Sequence, residues 1–200
     1  MKRLHRPDLF GWSQFDEERN IDFNSVLWVR DGGNVAIDPL PLSLHDAAHM
    51  KQLGGVALIV ITNSDHVRAS ARLATSTGAR VAGPRAESGS LAVACDLWFG
   101  DEDEIVPGLV SYEMNGSKTP GELALVLEQT TLITGDLIRA HEGGSLCLLP
   151  NAKLTDHGAA IVSAARLAGL GKIEAVLPGD GWPVFRGGTA VLRELVSRQH

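Results

Sequence analysis

The six residues Val56–Ile61 (Val-Ala-Leu-Ile-Val-Ile) form an apolar, β-branched run that ends abruptly in Thr62-Asn63-Ser64-Asp65-His66. A strand with no polar face must be covered on both sides, so the run predicts a central strand in a sheet held between two other layers. It also singles out the polar residues at its end, because a rigid strand aims them into a cleft.

The rest of the chain can be read around this strand. Ser25–Arg30 and Val35–Ile37 flank the turn Asp31-Gly32-Gly33-Asn34 and predict a hairpin ending at Asp38-Pro39. Ser43, with Asp46 three residues on, is an N-terminal cap for a helix that stops at Gly54-Gly55. A helical stretch from His66 to about Thr77 and a short strand around Arg80–Ala82 complete the order ββαβαβ. Pro84–Gly108, which contains the acidic run Asp101–Glu104, reads mostly as loops. Leu109–Met114, Leu123–Glu128 and Thr131–Thr134 predict three strands. A loop through Gly143-Gly144, a helix over Thr155–Ala168, a strand over Ala175–Leu177 and a closing helix over Gly188–Arg198 complete the chain. Each half carries strands followed by helix and strand, and no linker separates them. The expectation is one α+β domain over residues 1–200, two packed sheets with helices outside.

Composition narrows the function. Eighteen Lys and Arg against 24 Asp and Glu give a net charge of −6, the wrong sign for gripping a phosphate backbone, and no basic patch stands out. Nucleic acid is not an expected partner. No apolar run approaches the ~18 residues of a membrane span, so no membrane is expected either. Cys95 and Cys147 stand alone without a Cys-x-x-Cys pair, and the N-terminus lacks the apolar stretch of a secretory signal. The cytoplasm, with both thiols reduced, is the expected location.

Four polar spots succeed apolar strands. They are Thr62–His66, Gly116-Ser117-Lys118-Thr119-Pro120-Gly121-Glu122, Thr134-Gly135-Asp136 and Pro178-Gly179-Asp180-Gly181. Their order, glycines and prolines resemble the metallo-β-lactamase fold, a four-layer αββα sandwich that hosts hydrolases using one or two metal ions. The resemblance spans about Asn24 to Phe185. The family's turn after its central strand reads H-x-H-x-D-H, and its later spots read G-H-T-P-G, G-D and G-H-G. On this chain the first two histidines fall on Ile61 and Asn63, while Asp65 and His66 match. The next histidine falls on Lys118, Asp136 matches, and the last histidine falls on Asp180. Three of seven metal positions are therefore kept.

The resemblance implies no metal at the family's first position. Isoleucine has no donor atom, and an asparagine amide is a poor zinc ligand. Bringing Lys118 from a pKa of about 10.4 to 7 would cost roughly 4–5 kcal/mol. Lys118 is instead expected as an ammonium, paired with Asp136 or Asp65. The second position would offer Asp65, His66, Asp136 and Asp180, an acceptable set for one Zn²⁺, Mn²⁺ or Fe²⁺ ion. The same carboxylates beside Lys118 could equally satisfy themselves by hydrogen bonds and a salt bridge with no metal. Taken singly, each residue has a plain structural reading: Asp65 as cap of a helix beginning at His66, Asp136 and Asp180 as turn aspartates, Lys118 as a solvated lysine.

Other features carry less. His45 and His49 lie one turn apart but lack a third ligand, Gly169-Leu170-Gly171-Lys172 lacks the hydroxyl of a phosphate loop, and no Gly-x-Ser-x-Gly is present. Asp101–Glu104 reads as a solvated turn, and Cys147 between leucines as a core residue. The segment Gly11–Arg19 reads either as a strand or arm packing its aromatics on the sheet edge, or as a flap with Trp12 or Phe15 as a wall over the cleft. Arg19 or Arg68 would anchor an anionic substrate, Asn63 would line the pocket, and Trp182 would either line it or only pack the last helix.

The leading expectation is a divergent hydrolase acting on a small ester, thioester, amide or phosphoester through at most one ion, with Lys118, Asp65 and Asp136 as catalytic groups. In it Lys118 would stabilise a developing oxyanion. The alternative is a metal-free protein of the same fold that binds a small anion or a partner. Substrate and oligomeric state are not legible.

Overall fold

The computed structural model describes residues 1–199. One sheet has seven strands whose neighbours follow chain order: β1 (Lys2–Arg3), β2 (Leu9–Asp16), β3 (Ile21–Trp28), β4 (Val35–Ile37), β5 (Leu58–Val60), β6 (Arg80–Pro84) and β7 (Leu97–Phe99). Its first half is antiparallel, and β4 to β7 run parallel. The second sheet contains β8 (Glu104–Val106), β9 (Leu109–Glu113), β10 (Leu123–Leu127) and β11 (Thr131–Thr134). β12 (Ile138–Glu142) and β13 (Ser145–Leu148) form a separate hairpin, and β14 (Ala175–Pro178) returns to pair in parallel with β11. The helices are α1 (Leu44–Gln52), α2 (Ser70–Thr77), α3 (His157–Ala168) and α4 (Gly188–Ser197).

Alternation explains the layers. In β5, Leu58 and Val60 face the second sheet, while Ile59 and the following Ile61 pack with Met50 of α1 and Leu73 of α2. β10 divides likewise, Leu123, Leu125 and Leu127 facing the first sheet and Ala124 and Val126 facing α3 and α4. The apolar run is thus buried on both faces because it sits inside an αββα sandwich, the architecture the sequence predicts.

Several boundaries differ from the sequence reading. No helix begins at His66; Ser64–His66 is a single 3₁₀ turn capped by Asn63 rather than Asp65, and α2 starts only at Ser70. Its left-handed C-terminus at Gly78 follows the usual glycine preference. The loop expected around Gly143-Gly144 is the tip of the β12–β13 hairpin, hidden by Arg139, His141 and Glu142, which break an apolar pattern. Residues 9–16 form β2 rather than a flap: Trp12 is buried and donates its indole N–H to the Leu40 carbonyl at 3.1 Å, while Phe15 is exposed. Cys147 is half-buried, not core. The acidic run is the solvated turn the sequence predicts, with surface ion pairs from Asp101 and Glu102 to Arg166 and from Asp103 to Arg85. Among the described residues no helix is long and apolar enough to cross a membrane.

All four polar spots lie at one end of the two sheets, where main-chain bonds join them. Leu123 N, next to Glu122, donates to Thr62 O at 2.8 Å, and Gly179 N donates to Thr134 O at 2.8 Å. Gly181 adopts φ +94°, and a Cβ there would lie 1.9 Å from the Ala140 carbonyl oxygen. Gly181→Ala is therefore expected to destabilise the protein by about 3 kcal/mol or more. Gly171→Ala meets only the left-handed backbone penalty, since nothing lies within 4 Å, and should cost about 1 kcal/mol. Urea denaturation of the two variants beside wild type measures the difference.

Candidate functional site

The site grows from the ends of β4, β5, β11 and β14. Asp38, just past β4, has φ +46° and is 2% exposed. Its carboxylate accepts three bonds: from Thr62 N at 2.8 Å, Thr62 Oγ1 at 2.6 Å and His66 Nδ1 at 2.8 Å. Asn63 directs the turn, its Oδ1 accepting from the backbone N–H of Asp65 and His66. Buried Glu87 ties the same turn to the next spot, accepting from Ser64 N at 2.8 Å and Gly121 N at 3.3 Å.

His66 is thereby fixed with Nε2 toward Asp136, whose Oδ1 is 3.7 Å away. Burial alone would lower the imidazole pKa, but the Asp38 carboxylate and the contact to Asp136 outweigh it and push it up to about 9. Burial likewise works against Asp136, yet His66, Lys118 and Arg139 hold its carboxyl down at about 2. Glu122 is fully buried beneath the site, taking hydrogen bonds from Ser117 Oγ and, at 2.9 Å, from Leu137 N. Burial first, and the Asp136 charge second, push its pKa up to about 7.

Two guanidiniums complete the arrangement. Arg139 pairs with Asp180 Oδ2. Arg68, whose own backbone lies at φ +44°, brings Nη2 within 3.5 Å of Asp180 Oδ1 and 3.3 Å of His66 Nε2. A left-handed arginine costs about 1–3 kcal/mol, which the bonds made by its head offset.

The structure brings His66, Asp136 and Asp180 together, one ligand atom from each lying within 4.8 Å of the others. Asp65 does not join them, because its carboxylate is turned to Lys118 in a half-exposed ion pair. Asp136 reaches Lys118 only through space, as one of the charges that raise the lysine's pKa against its partial burial. Asn63 donates to Asp136 Oδ2 at 3.3 Å. Trp182 lies outside this cleft; its ring is 59% exposed and borders a separate groove with Trp12 and Phe185.

The donor set suits one ion in composition, but an ion does not fit beside Arg68. In the imidazolium form Nε2 carries a proton; in the neutral ring its one lone pair meets Arg68 Nη2. To reach Nε2 an ion would have to displace the ring proton in the first form and the Arg68 guanidinium in either. At the family's first position Ile61 is wholly buried in the apolar layer under α1 and α2, and Asn63 and Lys118 are engaged elsewhere.

The cleft measures about 490 Å³. Arg19, Arg68, Lys118, Arg139 and Lys153 line it against Asp65, Asp136 and Asp180. Arg19 and Arg68 stand over the Phe23 ring at 5.6 and 5.7 Å. Sequence reading missed Asp38, gave Glu122 of the second polar spot no role, and missed Arg139 and Lys153. The first two resemble turn acids, and the available signal was an acid abutting an apolar strand, in Ile37-Asp38 and Glu122-Leu123. For Arg139 the signal was a single charge inside an apolar stretch.

The sequence matches the family model described as "Metallo-beta-lactamase superfamily" over residues 1–199. Among solved structures it is similar to DIM-1 metallo-beta-lactamase, with TM-score 0.74 and 14% identity over 98% of this chain and 95% of that one. ST1585, an archaeal metallo-beta-lactamase superfamily protein from Sulfolobus tokodaii, gives 0.74 at 16% identity over 99% and 86%. The family protein TTHA1429 from Thermus thermophilus gives 0.72 at 17% over 97% and 80%. No curated protein matches the sequence.

Two titrations check the electrostatics. The His66 pKa is raised, so its stabilising contribution is complete below pH 6.5 and is lost as pH rises through about 9. By NMR the ring should titrate near 9 in wild type and below 6.5 in Asp38→Asn, where burial and Arg68 prevail. Glu122 also has a raised pKa, and its neutral form favours the fold most below pH 4.5, the benefit fading as pH rises through about 7. Glu122→Gln should then be more stable than wild type at pH 8, by about 1–3 kcal/mol, with the gap closing toward pH 4.5.

Proposed function

The chain belongs to the metallo-beta-lactamase superfamily, and from that membership we propose that it uses the family's cleft to bind a small anionic molecule through protein cations instead of a metal ion. The observation that carries this reading is the charge of the cleft. Five Lys and Arg side chains face three carboxylates there, in a protein whose net charge is −6. Such local reversal concentrates anions and orients them by charge-assisted bonds.

The side chains divide the work. Asp65 steadies Lys118 while leaving it half-exposed, so the ammonium can face a ligand. Arg19 and Lys153 line the cleft, and among the described residues neither takes part in an ion pair. They are the cations most open to an incoming carboxylate or phosphate. Ile21, Phe23, Leu40 and Leu149 supply apolar wall for the remainder of a small ligand. Cys95 and Cys147 are unpaired, in keeping with a reducing compartment, and we place the protein in the cytoplasm.

A second reading, hydrolysis of an ester, thioester, amide or phosphoester bond, is favoured by the gathering of His66, Asp136 and Asp180. In it these three would hold one Zn²⁺, Mn²⁺ or Fe²⁺ ion supplying Lewis-acid chemistry, but Arg68 would have to withdraw first.

Melting temperature measured against inorganic phosphate and acetate separates the two. Anion binding predicts a concentration-dependent rise in wild type, because a ligand held only by the native state stabilises it. In Arg19→Ala and Lys153→Ala the apparent affinity should fall about tenfold, the scale of one charged hydrogen bond. No shift with either anion, together with near one equivalent of tightly bound metal in protein purified without a chelating tag, would overturn the proposal in favour of the hydrolase.

A further inference from the structure

We propose that the Arg68 guanidinium occupies the place of a metal ion and excludes it, so that removing this one side chain converts His66, Asp136 and Asp180 into a binding site for a single divalent cation. The inference rests on reading the wild-type cleft as metal-free, and it assigns the exclusion to one residue.

Each of the three potential ligands has one atom anchored and one atom turned to a common centre. His66 is held at Nδ1 by Asp38, 2.8 Å away, which leaves Nε2 inward. Asp136 is held at Oδ2 by Asn63 Nδ2 at 3.3 Å, which leaves Oδ1 facing His66 Nε2. Asp180 is held at Oδ2 by Arg139, which leaves Oδ1. A carboxylate behind a histidine, and hydrogen bonds behind ligating carboxylates, are the outer contacts that orient ligands around an ion. What stands against two of these inward atoms is Arg68 Nη2, 3.3 Å from His66 Nε2 and 3.5 Å from Asp180 Oδ1.

Arg68 is fixed there by the fold. Nη1 donates to Asn24 O at 2.5 Å and to Asp38 O at 3.2 Å, and Nη2 also meets Gly179 O at 3.3 Å. These acceptors follow or belong to β3, β4 and β14, so one head group cross-links both sheets, as an ion would. The side chain is largely buried, and the left-handed backbone at Arg68 turns it inward between the 3₁₀ turn and α2. A divalent ion and this guanidinium would compete for the same space beside Nε2 and for the same oxygen of Asp180, and the ion would also take the place of the ring proton at Nε2. Arg139 bonds only the outer oxygen of Asp180 and can stay when the ion enters.

The test compares wild type, Arg68→Ala and Arg68→Ala/Asp180→Ala, all purified without a chelating tag and dialysed against Zn²⁺ or Mn²⁺. Elemental mass spectrometry should find under about a tenth of an equivalent in wild type and the double variant, and about one equivalent in Arg68→Ala. Zn²⁺ should raise the melting temperature of Arg68→Ala and leave wild type unchanged, since only the variant has lost its cross-link and gained a site. Co²⁺ should give visible ligand-field absorption in the variant alone. If Arg68→Ala does not accumulate as folded protein, Arg68→Gln keeps an N–H donor for the carbonyls without the charge and is held to the same outcomes. Folded variants that bind no ion overturn the inference while leaving the anion-binding reading intact. Near one equivalent in wild type overturns both.

Discussion

A carboxylate buried at the junction of two sheets sets the form of everything around it. Asp38 lies 2% exposed in a left-handed backbone conformation, and an unpaired charge at such depth would cost several kcal/mol. The chain answers with the backbone and hydroxyl of Thr62 and the imidazole of His66. Those bonds require residues 62–66 to turn sharply after β5 instead of starting a helix, so α2 is delayed to Ser70 and Arg68 falls in the gap. The positive imidazole then draws Asp136 inward, and Asp180 is balanced by Arg68 and Arg139. The site is therefore a sequence of neutralisations that starts at Asp38.

This accounts for how the scaffold holds together without the ligands its relatives' motif provides. A metal ion at the meeting edge of two sheets would act as a cross-link; apart from one, the loops after β5, β11 and β14 are tied by main-chain bonds such as Leu123 N to Thr62 O and by side-chain bonds such as Asn63 to Asp136. Arg68 supplies a replacement bridge from the β5 loop to Asn24, Asp38 and Gly179. Ile61, where a histidine would stand in the motif, extends the apolar layer beneath the helices instead. Each departure from the motif is matched by a local contact that suits the new residue.

The sandwich was legible because its strands obey a strict pattern. Val56–Ile61 and Leu123–Leu127 are apolar on both faces, and the structure divides each between two cores. The convergence of the four polar spots followed from strand ends, and the pairing of Lys118 with one of two carboxylates, Asp136 or Asp65, from simple charge balance; which of the two was not legible. What could not be read was long-range. The head of Arg68 touches groups from Asn24 to Asp180, and nothing local to Val67-Arg68-Ala69 announces this. Buried acids such as Asp38 and Glu122 have the same sequence signature as turn acids, because only tertiary packing distinguishes them. The β12–β13 hairpin was obscured because Arg139 is turned to Asp180 rather than outward.

Side chains in the place of an ion, as proposed above, would also change what the cleft can do with an anion. A metal ion with an open coordination position lets a substrate bind to it directly; a guanidinium already bonded to Asp180 and three carbonyls has little left to offer. Arg139 spends one terminus on Asp180 and is 9% exposed, with its Nε buried without a partner. On the proposed reading an incoming anion is met first nearer the rim, by the exposed Lys118, Arg19 and Lys153, while the buried guanidiniums mainly supply field. Charges held in fixed pairs in a low-dielectric pocket need no reorganisation when a ligand arrives, which favours selection by shape and charge over bond activation. On the proposed reading it is the depth at which the cations are free, more than their number, that suits this cleft to binding.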